Sequence, residues 1–151
     1  MIKIICVGKI KENYLKEAIK EYEKRLSKYT KLQIIECPDY SNLEISVILE
    51  REKEEILKYV QERDYVITLD IEGCELDSLS LAKKIEQSFL NSSTITFIIG
   101  GSYGLHLDVK NRANYSLSFS KLTFPHQLFR VILLEQVYRS FKIMNHESYH
   151  K

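Results

Sequence analysis

The sequence predicts an α/β protein with a mostly parallel sheet that helices cover on both faces. Three times in succession, a short apolar segment is followed by a segment with the apolar spacing of a helix. The apolar segments are continuous rather than alternating, which is typical of strands buried on both faces. The chain shows no internal repeat or linker, so its 151 residues are expected to form a single domain, 1–151.

Five strands are predicted from short apolar runs rich in β-branched residues. Their bounds are Ile2–Val7, Leu32–Cys37, 65–69, 94–99 and 114–119. Gly73 follows the third strand and predicts a turn over 71–76. Only a short segment, 105–113, separates the fourth and fifth strands, with room for about two helical turns.

Four longer helices are predicted from apolar residues at helical spacing. Their bounds are 11–28, 43–60, 79–90 and 125–144. Asp77 or Ser78 can cap the third of these helices, and the charge run 52–55 is predicted to be a solvated face of the second. The last helix is apolar almost all round, which predicts burial against the sheet on one side and against a partner subunit on the other.

The composition indicates a cytoplasmic protein. Cys6, Cys37 and Cys74 are far apart and form no Cys-x-x-Cys motif, which argues for buried, reduced thiols rather than disulfides or a zinc site. The N-terminus shows no signal-peptide pattern, and no apolar run approaches the roughly 18 residues of a membrane span. We therefore expect neither a metal nor a membrane as a partner.

Positive charge is concentrated in the last third of the chain. Residues 100–151 hold 7 Lys and Arg against 3 Asp and Glu, and all four histidines, whereas the balance over 1–99 is −3. An anionic partner is therefore expected to meet the C-terminal third.

A ligand site is predicted where the fourth strand ends. The turn Gly100-Gly101-Ser102-Tyr103-Gly104 follows that strand, and a loop after the fifth strand leads into the helix that Pro125 begins. Open α/β sheets bind ligands at such strand ends. The turn lacks a P-loop lysine and the dinucleotide spacing. Its glycines and the apolar loop suit a purine and a sulfonium better than a polyphosphate.

Several polar side chains near this site are candidates for chemistry. His126 lies at a helix N-terminus, where the helix dipole favours a neutral imidazole. Arg130 follows one turn later, so the two could face an anionic or enolate-like substrate, or could be a capping His and a surface Arg. Tyr149, His150 and Lys151 combine a stacking group, a base and a cation, which suits single-stranded nucleic acid, although a polar tail is also expected to be mobile.

These segments together resemble the small bacterial RlmH (formerly YbeA) family, single-domain members of the SPOUT class of methyltransferases. The resemblance covers essentially the whole chain. It is carried by IICVGKIKENY, EYEKRLSKY, VITLDIEG, FIIGGSYGLH, NYSLSFSKLTFPHQLFRVILLEQVYR and the terminal SYHK. It implies an α/β fold whose C-terminal part forms a trefoil knot, a homodimer, and no metal.

The resemblance also implies an activity and a cofactor site. The family uses S-adenosylmethionine to methylate N3 of a pseudouridine in 23S ribosomal RNA, and acts on the assembled ribosome. The family's cofactor residues correspond here to Leu69, Gly100, Phe119, Ser120, Lys121, Leu122, Thr123 and Phe124.

One mechanism joins the resemblance to the candidate residues. Either His150 or His126 would accept the N3 proton, and Arg130 would stabilise the charge that develops on the ring carbonyls. Tyr149 and Lys151 would hold the base and its phosphate, with His126 also close to the substrate.

Three alternatives remain open on the sequence. The chain could be a flavodoxin-like nucleotide-binding protein, an RNA-binding ribosome assembly factor without catalysis, or a methyltransferase for a different RNA nucleotide.

Overall fold

Five parallel strands, β1 to β5, form one sheet, and five helices, α1 to α5, pack on its two faces in the computed structural model, which describes all residues from Met1 to Lys151. The strands are Ile2–Val7, Leu32–Cys37, Tyr65–Glu75, Ile95–Ile99 and Tyr115–Ser118. The helices are Asn13–Leu26, Ile45–Leu57, Ser78–Phe89, Leu107–Arg112 and His126–Met144. The strand order is β2-β1-β4-β3-β5, with every neighbouring pair parallel. The predicted α/β class with a parallel sheet is confirmed.

The two apolar runs at β1 and β4 lie in the interior of the sheet, and every residue in both strands is buried. On one face, Ile4 and Phe97 pack in a cluster with side chains from α1, α3 and α5. On the other face, Ile5 and Ile98 pack with side chains from α2 and α4. Burial of apolar area on both faces, at roughly 25 cal/mol per Å², is why these strands carry no polar alternation.

The helices form where helical spacing predicted them, with ends that differ by a few residues. Asp77 is the N-cap of α3, and its carboxylate accepts a hydrogen bond from the Ser80 backbone N–H at 2.7 Å. None of the five helices has both the length and the apolarity to cross a membrane.

The predicted turn around Gly73 is wrong, because β3 continues through this segment to Glu75. Leu69 and Cys74 both pair with Leu117, so the register of β3 against β5 shifts between them. A Cβ on Gly73 would lie 2.8 Å from the backbone carbon and oxygen of Ser116. Glycine therefore lets the two strands approach each other closely here. The glycine that predicted a turn is instead required by this close packing.

The charge run in α2 is only partly solvated, which corrects the prediction for Glu52. The buried residues of α2 are Ile48, Glu52 and Ile56, four residues apart, and Glu52 is 3% exposed. A spacing of four places the three side chains on one face of the helix, so Glu52 packs inward with its apolar neighbours.

Two further expectations are corrected by burial. Cys6 and Cys37 are buried as expected, but Cys74 is exposed, because it lies where β3 shifts its register at the sheet edge. The C-terminal tail is exposed as expected, except that Tyr149 is half-buried against α5. The ring of Tyr149 lies against that of Tyr138 with 5.1 Å between centroids, and Glu147 accepts hydrogen bonds from Tyr29 and Lys142.

Candidate active site

A pocket of about 280 Å³ opens where β3, β4 and β5 end. Leu69, Ile99 and Leu117, which pair across these three strands, form its floor. The Gly100–Gly104 turn borders it after β4, and the loop after β5 borders it on the other side. The carboxyl ends of adjacent parallel strands meet at this edge, so the chain's two loops face one cavity.

Apolar side chains make most of the wall. They are Leu69, Ile71, Ile99, Leu105, Leu117, Phe119, Leu122, Phe124 and Phe129. Of the residues expected to hold a cofactor, all except Lys121 line this pocket. The chemistry of the wall suits a flat, mostly uncharged group such as a purine nucleoside, which apolar contacts enclose and backbone groups can orient.

The glycine turn is closed so tightly that side chains are excluded. A Cβ on Gly100 would lie 2.6 Å from the Gly104 carbonyl oxygen. Gly101 and Gly104 form a backbone bridge, and Gly104 has φ +80°, which favours glycine. At its three glycines the turn therefore presents backbone to the cavity, and Ser102 adds the one side chain of the turn that lines it.

Three aromatic rings hold the loop after β5 against the first turn of α5. Phe129 of α5 lies edge-on to Phe119, with 5.0 Å between ring centroids, and stacks with Phe124 at 5.8 Å. Within the loop, the Leu122 N–H donates to Ser120 Oγ at 3.0 Å. Such ring pairs add about 0.5 to 1.5 kcal/mol each to their apolar burial, so the pocket wall is fixed without any ligand.

His126 and Arg130 are separated by the structure, although they lie on one helix. His126 is the first residue of α5, is exposed, and lines the pocket. Arg130 is 2% exposed and lines neither cavity described here. Its guanidinium donates to Glu36 Oε2 at 2.7 Å and to the Gly8 carbonyl at 3.1 Å. Arg130 is therefore not the surface residue that the sequence suggested, and the expected pair does not face the pocket together.

A second cavity, of about 430 Å³, adjoins the first and shares Leu117 and Phe119 with it. It lies between α3 and α5, where Leu79 and Ile132 contribute to its wall. His150 from the tail also lines it. The structure thus brings His126 to one cavity and His150 to its neighbour.

The tail is held by the ion pair between Glu135 and Arg139, which lie four residues apart in α5. That ion pair is present at 2.7 Å, and Glu135 also accepts a hydrogen bond from the Tyr149 hydroxyl at 3.1 Å. Burial and the charge of Glu135 raise the pKa of Tyr149, so the hydroxyl stays a donor. Arg139 Nη1 contacts His150 Nδ1 at 3.2 Å. Lys151 is exposed.

Two charged residues of the first pocket were missed by sequence reasoning. Asp70 directly follows Leu69, and Lys110 lies in α4, and they form an ion pair at 2.9 Å at the pocket. The position of Asp70 after the paired part of β3 was the available signal. No group of three or more His, Cys, Asp or Glu side chains is arranged to hold a metal ion.

Glu52 lies directly behind the glycine turn. A Cβ on Gly101 would lie 2.9 Å from Glu52 Oε1, and neither carboxylate oxygen has a hydrogen-bond partner. Burial, with a smaller contribution from the charge of Asp39, raises the pKa of Glu52 to about 7. The buried carboxyl is thus a neutral acid in the folded protein at mildly acidic pH.

An open α/β sheet with an apolar pocket at the carboxyl ends of its strands defines a class of ligand-binding proteins in which the loops after the strands make the site. A family model described as "Predicted SPOUT methyltransferase" matches residues 1–150. The chain belongs to the SPOUT methyltransferase family and is an enzyme of that class, as the sequence motifs indicated.

Two curated relatives agree with this assignment. Proteins from Methanococcus maripaludis strain C5 and Methanococcus vannielii are 57% and 56% identical to the chain over 157 aligned residues, which cover 99% of this chain and 99% of each relative. Both carry the name "Putative ribosomal RNA large subunit methyltransferase H".

A solved structure shares the fold. A probable methylase family protein from Haemophilus influenzae Rd KW20 superposes with a TM-score of 0.56 at 17% identity, over 99% of this chain and 70% of that one. At that identity the likeness concerns the fold alone.

We predict that Glu52→Gln changes the pH dependence of stability. The pKa of this carboxyl has an ordinary value of 4.5 and is about 7 in the folded protein. Between these two pH values, the Glu52 carboxyl is ionised in the unfolded chain and protonated in the folded chain. The wild type therefore loses stability as pH rises through that window, by on the order of 2 to 3 kcal/mol. Glu52→Gln lacks this loss, so its free energy of unfolding relative to wild type should rise from pH 4 to pH 8.

Denaturant unfolding across that pH range measures the difference. Glu54→Gln, an exposed neighbour on the same helix, is the matched control and should run parallel to wild type. Parallel curves for Glu52→Gln would contradict the prediction.

Proposed function

We propose that the chain uses S-adenosylmethionine to methylate N3 of a pseudouridine in 23S ribosomal RNA of the assembled ribosome. The observation that carries this proposal is the apolar pocket between the Gly100–Gly104 turn and the aromatic-braced loop after β5. The names of the curated relatives support ribosomal RNA as the substrate class. Because ribosomes are the proposed substrate, the cytoplasm is the proposed location.

The residues of the pocket fit this cofactor. Its wall is largely apolar, which suits an adenine ring, and Lys110 is its single positively charged Lys or Arg. A flavin mononucleotide or a polyphosphate would bring two or more negative charges, and the wall offers one lysine and no arginine to balance them. S-adenosylmethionine, when bound, would supply an electrophilic methyl group. Leu69, Gly100 and the residues of the loop after β5 would hold its adenosine part.

The target nitrogen must lose a proton, and His126 is positioned to accept it. His126 is the first residue of α5 and is exposed at the rim of the first pocket, and an imidazole in its neutral form has a free lone pair. A neutral imidazole can act as the general base without being deprotonated first.

The tautomer of His150 suits a donor rather than a base. Arg139 has only donors, so the contact between its Nη1 and His150 Nδ1 requires Nδ1 to accept. The proton of neutral His150 then lies on Nε2, where it can donate to a ring carbonyl as charge develops there. Tyr149 is engaged by Tyr138 and Glu135, so we propose that it fixes the tail, while exposed Lys151 contacts phosphate.

Arg130 is proposed as a positioning residue. Its two donor contacts, to Glu36 and to Gly8, tie the first turns of α5 to the ends of β1 and β2. A direct contact with the substrate would require Arg130 to leave both partners. Through α5, its contacts hold His126 and the aromatic residues of the loop in place.

The chain is also proposed to be a homodimer with a knotted C-terminal part. One large apolar side chain of α3 and one of α5 are exposed: Leu79, which lines the second cavity, at 56%, and Leu128 at 41%. A second copy of α5 would cover them, and apolar burial of this kind drives stable dimers. We propose the knot because the resemblance to the family implies it.

Methyl transfer can be tested with labelled S-adenosylmethionine and either intact ribosomes or stripped ribosomal RNA. We expect label in large-subunit RNA from intact ribosomes only, and N3-methylpseudouridine on digestion and mass spectrometry. Label on a different nucleotide would change the target. Cofactor binding without label in any RNA would overturn the proposed activity and favour a non-catalytic assembly factor.

We predict that His126→Ala lowers the turnover number by about 10²- to 10⁴-fold, the range of a general base. The affinity for S-adenosylhomocysteine, measured by calorimetry, should change little. His146→Asn is the control, because His146 is exposed in the tail with φ +55°, which asparagine tolerates. A larger loss in His150→Ala than in His126→Ala would reverse the two assigned roles.

We predict that Leu128→Asp shifts the protein from dimer to monomer, because a carboxylate would be buried without a partner in the interface. Light scattering after size-exclusion chromatography measures the mass. Leu90→Asp is the control, since Leu90 is 80% exposed at the end of α3. The same mass for both variants would argue against α5 as the interface.

A further inference from the structure

Two opposite charges lie at the edge of a pocket whose wall offers no other carboxylate, lysine or arginine. Asp70 and Lys110 both line the first cavity, and Lys110 Nζ lies 2.9 Å from Asp70 Oδ2. The Asp70 side chain is 14% exposed and that of Lys110 is 38% exposed. Among the ion pairs of the chain, this is the one whose two members both line the pocket.

Backbone structure fixes both side chains. Asp70 follows the last residue of β3 that pairs with β4, and its Oδ1 accepts the Glu72 N–H at 3.1 Å. Burial acts to raise the pKa of Asp70, but the hydrogen bonds from Lys110 and from Glu72 outweigh it and hold that pKa below its ordinary value. Lys110 is carried by α4, which the fully buried Val109 anchors to the sheet. Both side chains are therefore held in place, and the Asp70 carboxylate stays ionised at neutral pH because its pKa is lowered.

The pair has unused hydrogen-bonding capacity. An ammonium group has three donors, and the chain provides Lys110 with one acceptor, Asp70. A carboxylate has about four acceptor sites, and Asp70 uses two of them. A ligand can thus add one anionic and one cationic group without breaking the existing contact.

We propose that Asp70 and Lys110 form the subsite for the α-amino acid end of the cofactor. Lys110 binds the α-carboxylate and Asp70 binds the α-ammonium. This inference rests on the proposed use of S-adenosylmethionine. The methionyl part of that cofactor is a zwitterion, and its nucleoside is uncharged. The remaining titratable side chain of the pocket is His126, which cannot serve both charges.

The alternative is an ion pair that only ties α4 to the end of β3. Ion pairs such as Glu21–Arg25 and Glu55–Lys58 link neighbouring turns of one helix and contribute little. Asp70–Lys110 joins two separate elements beside a cavity, so a purely structural role would also affect the shape of the pocket. The test must therefore separate the charges from the shape.

Two ligands make that separation. S-adenosylhomocysteine carries the α-carboxylate and α-ammonium, and 5′-methylthioadenosine has the same nucleoside and a thioether without them. Calorimetry compares both ligands on wild type, Lys110→Met and Asp70→Asn, with Lys83→Met, an exposed helical lysine, as the control. Asparagine keeps an Oδ1 acceptor for the Glu72 N–H, which preserves the local backbone.

We expect each variant to bind S-adenosylhomocysteine roughly 10- to 100-fold more weakly, the effect of one charged hydrogen bond. Binding of 5′-methylthioadenosine should stay within about twofold, and Lys83→Met should match wild type for both ligands. Equal weakening of both ligands, or no change for either, would overturn the subsite. Wild-type protein that binds neither ligand would instead overturn the proposed cofactor, and the subsite with it.

Discussion

The position of α5 depends on one buried side chain, Arg130, which pairs with Glu36 and donates a second hydrogen bond to the Gly8 carbonyl. The Arg130 side chain is 2% exposed and that of Glu36 is 36% exposed, so the pair adds little net stability, because the cost of removing the guanidinium from water offsets the attraction. What it provides is a single register for the helix. An apolar helix could slide along an apolar sheet at small cost, but a displaced Arg130 would leave a buried charge without a partner. The helix that carries His126 and the tail is thus fixed by this polar contact as well as by its apolar packing.

Three glycines that allow close packing also shape the structure around the pocket. Gly73 lets β3 run beside β5, Gly100 lets its turn close on Gly104, and Gly101 leaves room for the Glu52 carboxyl behind it. At each position an added Cβ would come within 3.0 Å of a neighbouring atom. The cavity is the space that remains once these contacts are made. Its shape is therefore a property of the fold, and a ligand does not have to organise it.

Much of this could be predicted from the sequence, because strands buried on both faces leave continuous apolar runs and strand ends place the loops. The parallel sheet and the loops around the pocket followed from those two patterns. Contacts between distant segments could not be predicted. Arg130 meets Glu36 across 94 residues, and Lys110 meets Asp70 across 40, and neither spacing carries a periodic signal. The burial of Glu52 could have been predicted from its four-residue spacing from Ile48 and Ile56. The prediction was wrong because a charged side chain was expected to face water.

The distribution of charge bears on how such an enzyme would find its target. The last third of the chain has a surplus of 4 positive charges, and Arg130 and Arg139 are already engaged with carboxylates. Few cations remain to neutralise phosphates, and each phosphate contact contributes to both affinity and salt dependence. A protein of this kind cannot select one nucleotide by charge alone. The assembled ribosome, which is the proposed substrate, would present a fixed surface around the target, and shape complementarity with that surface would supply the missing selectivity. The small electrostatic contribution is thus consistent with a folded particle, rather than free RNA, as the substrate.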